Sequence, residues 1–249
     1  MAQTYYKRVR VPYDPSSDKP YRISRSKIDQ FMNCPFCSWL DHRKGVTQPS
    51  GPAFTLNSAV DALLKKEFDI HRAKNNTHPL MKEYGIDAVP YSHPQIETWR
   101  ANFTGINFVH PQTNFEVFGA IDDIWETPEK KLHIVDYKAT SKAGEIVLED
   151  TKWHNQYRRQ MEIYQWLFRR NNFDISDTGY FVYVNGRKDL EAFDGKLEFT
   201  LKIIPYEGKD RWVEGILFEM KEVLSGGPPA PKSDCPFCIY RASIDALNL

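Results

Sequence analysis

No run of about 18 apolar residues interrupts the sequence, so no membrane-spanning helix is expected. The start, Met1-Ala-Gln-Thr-Tyr-Tyr-Lys-Arg8, has no apolar core of the kind that directs secretion, and the expected setting is the cytoplasm. Neither sign of charge is in excess: 33 Lys and Arg balance 33 Asp and Glu. No net field therefore draws the whole molecule onto a polyanion, and any nucleic-acid site must be a local patch. Cysteine is scarce. The 4 cysteines occur in two identical tetrapeptides, Cys34-Pro-Phe-Cys37 and Cys235-Pro-Phe-Cys238, and in a reducing compartment that pattern favours a metal or cluster site over disulfides. Apart from this duplication there is no internal repeat.

What the chain does have is length and rings. Its 249 residues suffice for one large domain or two small ones, and an aromatic content of 14% implies a large core rimmed by tyrosine. Residues 1–22, with Pro12, Pro15 and Pro20, read as an extended arm, and residues 23–249 as a single domain. Ser24 or Ser26 can cap a helix carrying Ile28, Phe31 and Met32, Ser26 with Asp29 resembling a capping box, and Pro35 breaks or kinks that helix. Leu56, Ala59, Val60, Leu63, Leu64 and Phe68 follow the helical period over 54–73. Asp61 lies beside that apolar face; Lys65, four residues on, would make it an ordinary helix ion pair. Short helices are expected near 80–84 and 95–103.

Strands are expected over 106–109, 115–125 and 132–138 as an antiparallel meander, then over 179–185 and 196–204. A helix over 153–171 carries Arg158, Arg159, Arg169 and Arg170, with Glu162 its only acid, so its surface should favour phosphate. An amphipathic helix over 210–224 precedes the connector Gly226-Gly-Pro-Pro-Ala-Pro231.

The chemistry concentrates in Phe118-Gly-Ala-Ile-Asp-Asp-Ile-Trp125 and His133-Ile-Val-Asp-Tyr-Lys-Ala139. Neighbouring strands joined by Thr127-Pro-Glu-Lys130 deliver Asp122, Asp136 and Lys138. Hard divalent cations want carboxylate oxygens, and a phosphodiester under attack wants a nearby positive charge. This combination points to a metal-dependent nuclease.

These residues resemble the RecB-like branch of the PD-(D/E)XK nuclease superfamily, to which CRISPR adaptation and AddB-type nucleases belong. The matching segments are Gly119-Ala-Ile-Asp122, Val135-Asp136-Tyr137-Lys138 and Gln160-Met-Glu-Ile-Tyr164, with Ile23 to Pro35 similar to the family's N-terminal segment. The resemblance implies an α/β, restriction-endonuclease-like core: a mixed central sheet flanked by helices, with the N- and C-terminal segments joined by a four-cysteine site. It implies Mg²⁺ or Mn²⁺ held by Asp122, Asp136 and the backbone carbonyl of Tyr137, with Lys138, Gln160 and Tyr164 completing the catalytic set. The substrate would be DNA, single-stranded or at ends. No helicase motif accompanies these segments, so a motor or other partner would be a separate subunit. Relatives often carry a histidine where Asn57-Ser-Ala-Val-Asp61 ends, and Asp61 would serve as an oxygen ligand in its place.

The resemblance also implies a 4Fe-4S cluster at Cys34, Cys37, Cys235 and Cys238, although relatives split these cysteines one and three rather than two and two. The chemistry of four thiolates admits Zn²⁺ equally; Ser38 and Ile239, where zinc knuckles prefer glycine, mildly favour the cluster. A glutaredoxin-like redox role is a third reading. The rival function is a catalytically weak nucleic-acid-binding or scaffold subunit of a repair or defence complex, organised by zinc.

Overall fold

A computed structural model describes residues 11–49, 51 and 54–247 of the chain. Residues 1–10 of the expected arm lie outside the described residues. In chain order the elements are β1 (Tyr21–Ser24), α1 (Arg25–Asn33), α2 (Pro35–Lys44), α3 (Thr55–Ala73), α4 (Pro79–Glu83), β2 (Val89–Pro90), α5 (Ile96–Arg100), β3 (Ile106–His110), β4 (Phe115–Gly119) and β5 (Asp123–Glu126). Then follow β6 (Leu132–Thr140), α6 (Lys152–Arg170), β7 (Thr178–Gly186), β8 (Phe199–Glu207), α7 (Trp212–Ser225) and α8 (Pro236–Asp245). No helix among the described residues is long and apolar enough to cross a membrane.

Contacts divide the chain into two compact units. Unit 1 comprises 1–51, 109–116 and 214–249; unit 2 comprises 52–108 and 117–213. Unit 2 is built on a five-stranded mixed sheet of order β2-β5-β6-β7-β8, antiparallel throughout except for the parallel pair β6 and β7. Pro205 is tolerated because β8 is an edge strand, where a missing N–H breaks no interior ladder.

Alternation along β6 sorts its side chains to two faces. Val135 and Tyr137 join a core with Leu64 and Phe68 of α3, Trp125 of β5, Val182 and Val184 of β7, and Ile203 of β8. Phe68 stacks on Trp125 with ring centroids 5.5 Å apart. Asp136 points the other way, onto Gln160 of α6. The sheet is thus covered by α3 on one face and α6 on the other. Thr151 caps α6 by accepting from the His154 N–H at 3.2 Å, and the helix ends where Asn172 takes the left-handed conformation. Its buried Glu162 accepts from the Tyr206 hydroxyl, the Lys209 amide and the Trp212 indole, which makes it a structural acid.

Unit 1 gathers α1, α2 and α8 with most of α7, and contains β1 of the three-stranded sheet β1-β4-β3. Tyr13, within the expected arm, is buried and its N–H bonds the His42 carbonyl at 2.8 Å. The His110 ring meets Glu214 at 2.8 Å, and the Trp39 indole donates to the Gly226 carbonyl at 3.2 Å.

Four local expectations need correction. The run 115–125 is not one strand: β4 ends at Gly119, β5 begins at Asp123, and the two belong to different sheets, so no continuous meander exists. Ile121 donates its N–H to the Trp99 carbonyl instead of to a ladder partner. Of the two candidate caps it is Ser24 that takes the N-cap position before α1 starts at Arg25, without a side-chain cap bond, and its hydroxyl bonds that of Ser26 at 2.9 Å, so the Ser26–Asp29 capping box does not form. Arg169 is not presented to phosphate, since it pairs with Asp177 and Asp210, and Arg158 bonds Asn155 and the Leu148 carbonyl. The helix α8 stands where no helix is expected, directly after the connector and the first cysteine of the second pair.

Gly105 packs tightly against the end of β4. It has φ +59, and a Cβ there would lie 2.2 Å from the Gly119 carbonyl oxygen, a backbone atom that cannot move aside. Gly105→Ala should therefore cost about 2 kcal/mol, lowering the midpoint of thermal unfolding by about 4–8 °C as followed by circular dichroism.

Candidate active site

Asp122 ends the turn before β5, and Asp136 and Lys138 project from the same face of β6. The register pairs Asp123 with Val135, which brings the turn carrying Asp122 alongside Asp136 and Tyr137. Asp122 Oδ2 accepts the Tyr137 N–H at 2.9 Å, so the peptide between Asp136 and Tyr137 links the two acids. Asp136 is fully buried; its Oδ1 accepts from Gln160 Nε2 at 2.7 Å and its Oδ2 pairs with the Lys138 ammonium. Gln160 also donates to the Tyr164 hydroxyl at 3.2 Å and accepts from Lys138 at 3.4 Å. The Lys138 ammonium sits 4.5 Å from the centre of the Tyr157 ring. Asp136, Lys138, Gln160 and Tyr164 thus form one connected group.

A second group lies on the α3 side. Lys65 donates to Asp61 Oδ2 at 2.8 Å and to Asp122 Oδ1 at 3.2 Å. Burial, then the nearby Asp122 charge, push the Asp61 carboxyl above its ordinary value despite Lys65. Burial works against the Lys65 ammonium, but Asp122 and Asp61 overcome it and hold its pKa above the usual lysine value. Among the described residues, Asp61, Asp122 and Asp136 do not draw their oxygens into one closed ligand set; only the four cysteines do that, within 4.8 Å. Phe54, Asn57, Asp61, Asp122, Tyr137 and Lys138 line a cleft of 410 Å³, and the fully buried Asp136 pairs with Lys138. The oxygen donors suit a hard cation, and an ammonium already held between two carboxylates marks a place built for positive charge.

The family model for the PD-(D/E)XK nuclease superfamily matches residues 52–243. The chain belongs to this superfamily. No curated protein matches it. A solved structure from Eubacterium rectale carrying an exonuclease designation is similar at 14% identity, covering 92% of this chain and 90% of that one, with a TM-score of 0.43.

Beneath the acids of this PD-(D/E)XK nuclease lies a buried polar layer that local pattern does not reveal. Asp123 is fully buried and accepts from Arg72, Arg100, the Ile124 amide and the Tyr137 hydroxyl. Arg100 also binds both oxygens of Asp69 at 2.9 Å and donates to the Asp122 carbonyl at 3.0 Å. Burial works against the Arg100 charge, and Asp123 and Asp69 overcome it, holding its pKa above the ordinary arginine value. Burial and the Asp123 charge push the Tyr137 phenol well up, so it stays a donor. The adjacency of Asp122 and Asp123 is the one local signal that one acid faces the cleft and the other the interior; nothing near Arg72 or Arg100 in sequence announces them.

Unit 1 holds the cysteines. Cys34 and Cys235 are the N-caps of α2 and α8, each followed by proline in the first turn. The Sγ atoms of Cys34 and Cys238 lie 3.6 Å apart, those of Cys37 and Cys235 3.7 Å, and those of Cys37 and Cys238 3.8 Å. All four are buried free thiols. Burial pushes the Cys37 thiol well up, so a bound cation is what would make thiolate favourable there.

Replacing Tyr137 by Phe leaves Asp123 Oδ2 without its phenol donor. The expected cost is about 1–3 kcal/mol of stability in urea titrations, with an unchanged midpoint ruling out the phenol as a working partner of Asp123.

Proposed function

We propose that this PD-(D/E)XK nuclease is a Mg²⁺- or Mn²⁺-dependent deoxyribonuclease that hydrolyses phosphodiester bonds in DNA, on single strands or at ends. Asp122, Asp136, the Tyr137 carbonyl and Asp61 supply the ligand oxygens. A bound divalent ion would lower the pKa of a water and neutralise a phosphate oxygen. The observation that carries the reading is the connected group Asp136, Lys138, Gln160 and Tyr164, with Asp122 bonded to the Tyr137 amide beside it. Lys138 reaches the cleft while Asp136, Gln160 and Tyr157 fix its ammonium, which suits a point charge that stabilises a developing phosphorane without reading a base. Gln160 holds Asp136 and Lys138 in register and is itself held by Tyr164. Phe54, 67% exposed, lines the same cleft and suits an unstacked base, which supports a single-stranded substrate.

Lys138→Ala should lower metal-dependent cleavage of end-labelled single-stranded DNA by about 10²-fold or more, with circular dichroism unchanged. Wild-type protein that cleaves neither single- nor double-stranded DNA in Mg²⁺ or Mn²⁺ would instead support the scaffold reading.

For the cysteine site the sulfur spacing favours zinc over the 4Fe-4S cluster. Four thiolates about 2.3 Å from one shared Zn²⁺ stand about 3.8 Å apart at the corners of a tetrahedron. Three of the separations, at 3.6–3.8 Å, match that figure, and all four sulfurs lie within 4.8 Å of one another. In a four-iron cluster each thiolate binds a separate iron, which spreads the sulfurs around the cube. Purified protein should be colourless and hold one zinc per chain by metal analysis; a visible absorption band with stoichiometric iron would overturn this assignment.

A further inference from the structure

Lys65 occupies a position that matters to the metal reading. Its ammonium bonds one oxygen of Asp61 at 2.8 Å and one oxygen of Asp122 at 3.2 Å. The other oxygen of Asp122 is committed to the Tyr137 amide at 2.9 Å. Both oxygens of Asp122 are thus engaged, and the one next to the Asp61 pair is held by Lys65. Asp136 is served separately by Lys138 and Gln160, so Lys65 is not needed there.

A divalent ion and an ammonium compete for such an oxygen. Mg²⁺ sits about 2.0–2.1 Å from its ligand oxygens, which would bring it within roughly 4 Å of an ammonium still bonded to the same carboxylates, and two cations at that separation repel. The Lys65 side chain is 22% exposed and is anchored only through α3, so it has a route to solvent along its flexible stem.

We propose that Lys65 is a resident counter-ion of the metal site: it compensates Asp61 and Asp122 in the metal-free enzyme, and a divalent cation binds by taking its place. The inference rests on the metal-dependent reading above. Its consequence is that Lys65 weakens metal binding. The metal-free fold is protected from two adjacent bare carboxylates, and the affinity for cation is lowered by the cost of displacing the ammonium.

The test is calorimetric titration of Mn²⁺ into wild type, Lys65→Met and Lys65→Gln, together with thermal unfolding of each without metal. Both variants should bind Mn²⁺ about tenfold more tightly, equivalent to about 1.4 kcal/mol. Their metal-free midpoints should fall, and the rise in midpoint on adding Mn²⁺ should grow. A general loss of structure would weaken binding, so tighter binding is specific to exchange. Should Lys65→Met fail to fold, Lys65→Gln carries the comparison, and Lys65→Arg, which keeps the charge, should stay close to wild type. Equal or weaker Mn²⁺ binding in the neutral variants, with wild type binding normally, overturns the exchange and leaves the metal reading intact. Absence of Mn²⁺ binding by wild type and by every variant overturns the metal reading, and the exchange with it.

Discussion

Carboxylates taken out of water must find compensation, and in unit 2 that requirement shapes the site. Asp123 and Asp136 are fully buried, and Asp61, Asp69 and Asp122 stand close by. An unpaired buried carboxylate would shed its charge by protonation, and a paired one becomes strongly dependent on its partner. The chain meets the requirement with separate cations: Arg72 and Arg100 for Asp123 and Asp69, Lys65 for Asp61 and Asp122, Lys138 for Asp136. Only the two lysine sets touch the cleft side of the network. The arginines, always charged and planar, stay in the interior layer, where a fixed fork is worth more than mobility.

Tyr137 is where these groups meet. Its amide holds Asp122, its hydroxyl holds Asp123, and its ring packs 5.6 Å from that of Phe68 in the α3 core. The residue between the second acid and the lysine therefore couples apolar packing to carboxylate placement. A cavity opened under Phe68 or Trp125 would be felt as a shift of Asp122, and hydrolytic sites lose rate steeply when a group moves by an ångström.

Local patterns in the chain carry the fold class and the candidate site residues. Asp122, Asp136, Lys138, Gln160 and Tyr164 are legible because each lies in a short segment of fixed spacing, and α3, α6 and β7 because their apolar periods are long and clean. The break between β4 and β5 is hidden, since 115–125 is apolar enough to pass for one strand and the close approach of Gly105 to Gly119 comes from fourteen residues away. Arg72 and Arg100 are hidden for the same reason: their partner Asp123 is 51 and 23 positions away. Lys65 is visible only as a helix pair with Asp61, because its second partner comes from another element. The helix α8 escapes notice because the proline after Cys235 reads as an interruption, whereas in the first turn its missing N–H costs nothing.

The four cysteines set an order of events as well as a structure. Cys37 and Cys235 are 198 positions apart, yet both belong to unit 1, while 117–213 belong to unit 2. During synthesis the residues of unit 2 are joined to the chain before Cys235 and Cys238. The early Cys34 and Cys37 are therefore without the two thiols they cluster with until the later pair is translated. A chain cut short of Cys235 would keep the acids and the lysine of the cleft but hold two of the four clustered thiols without the other two.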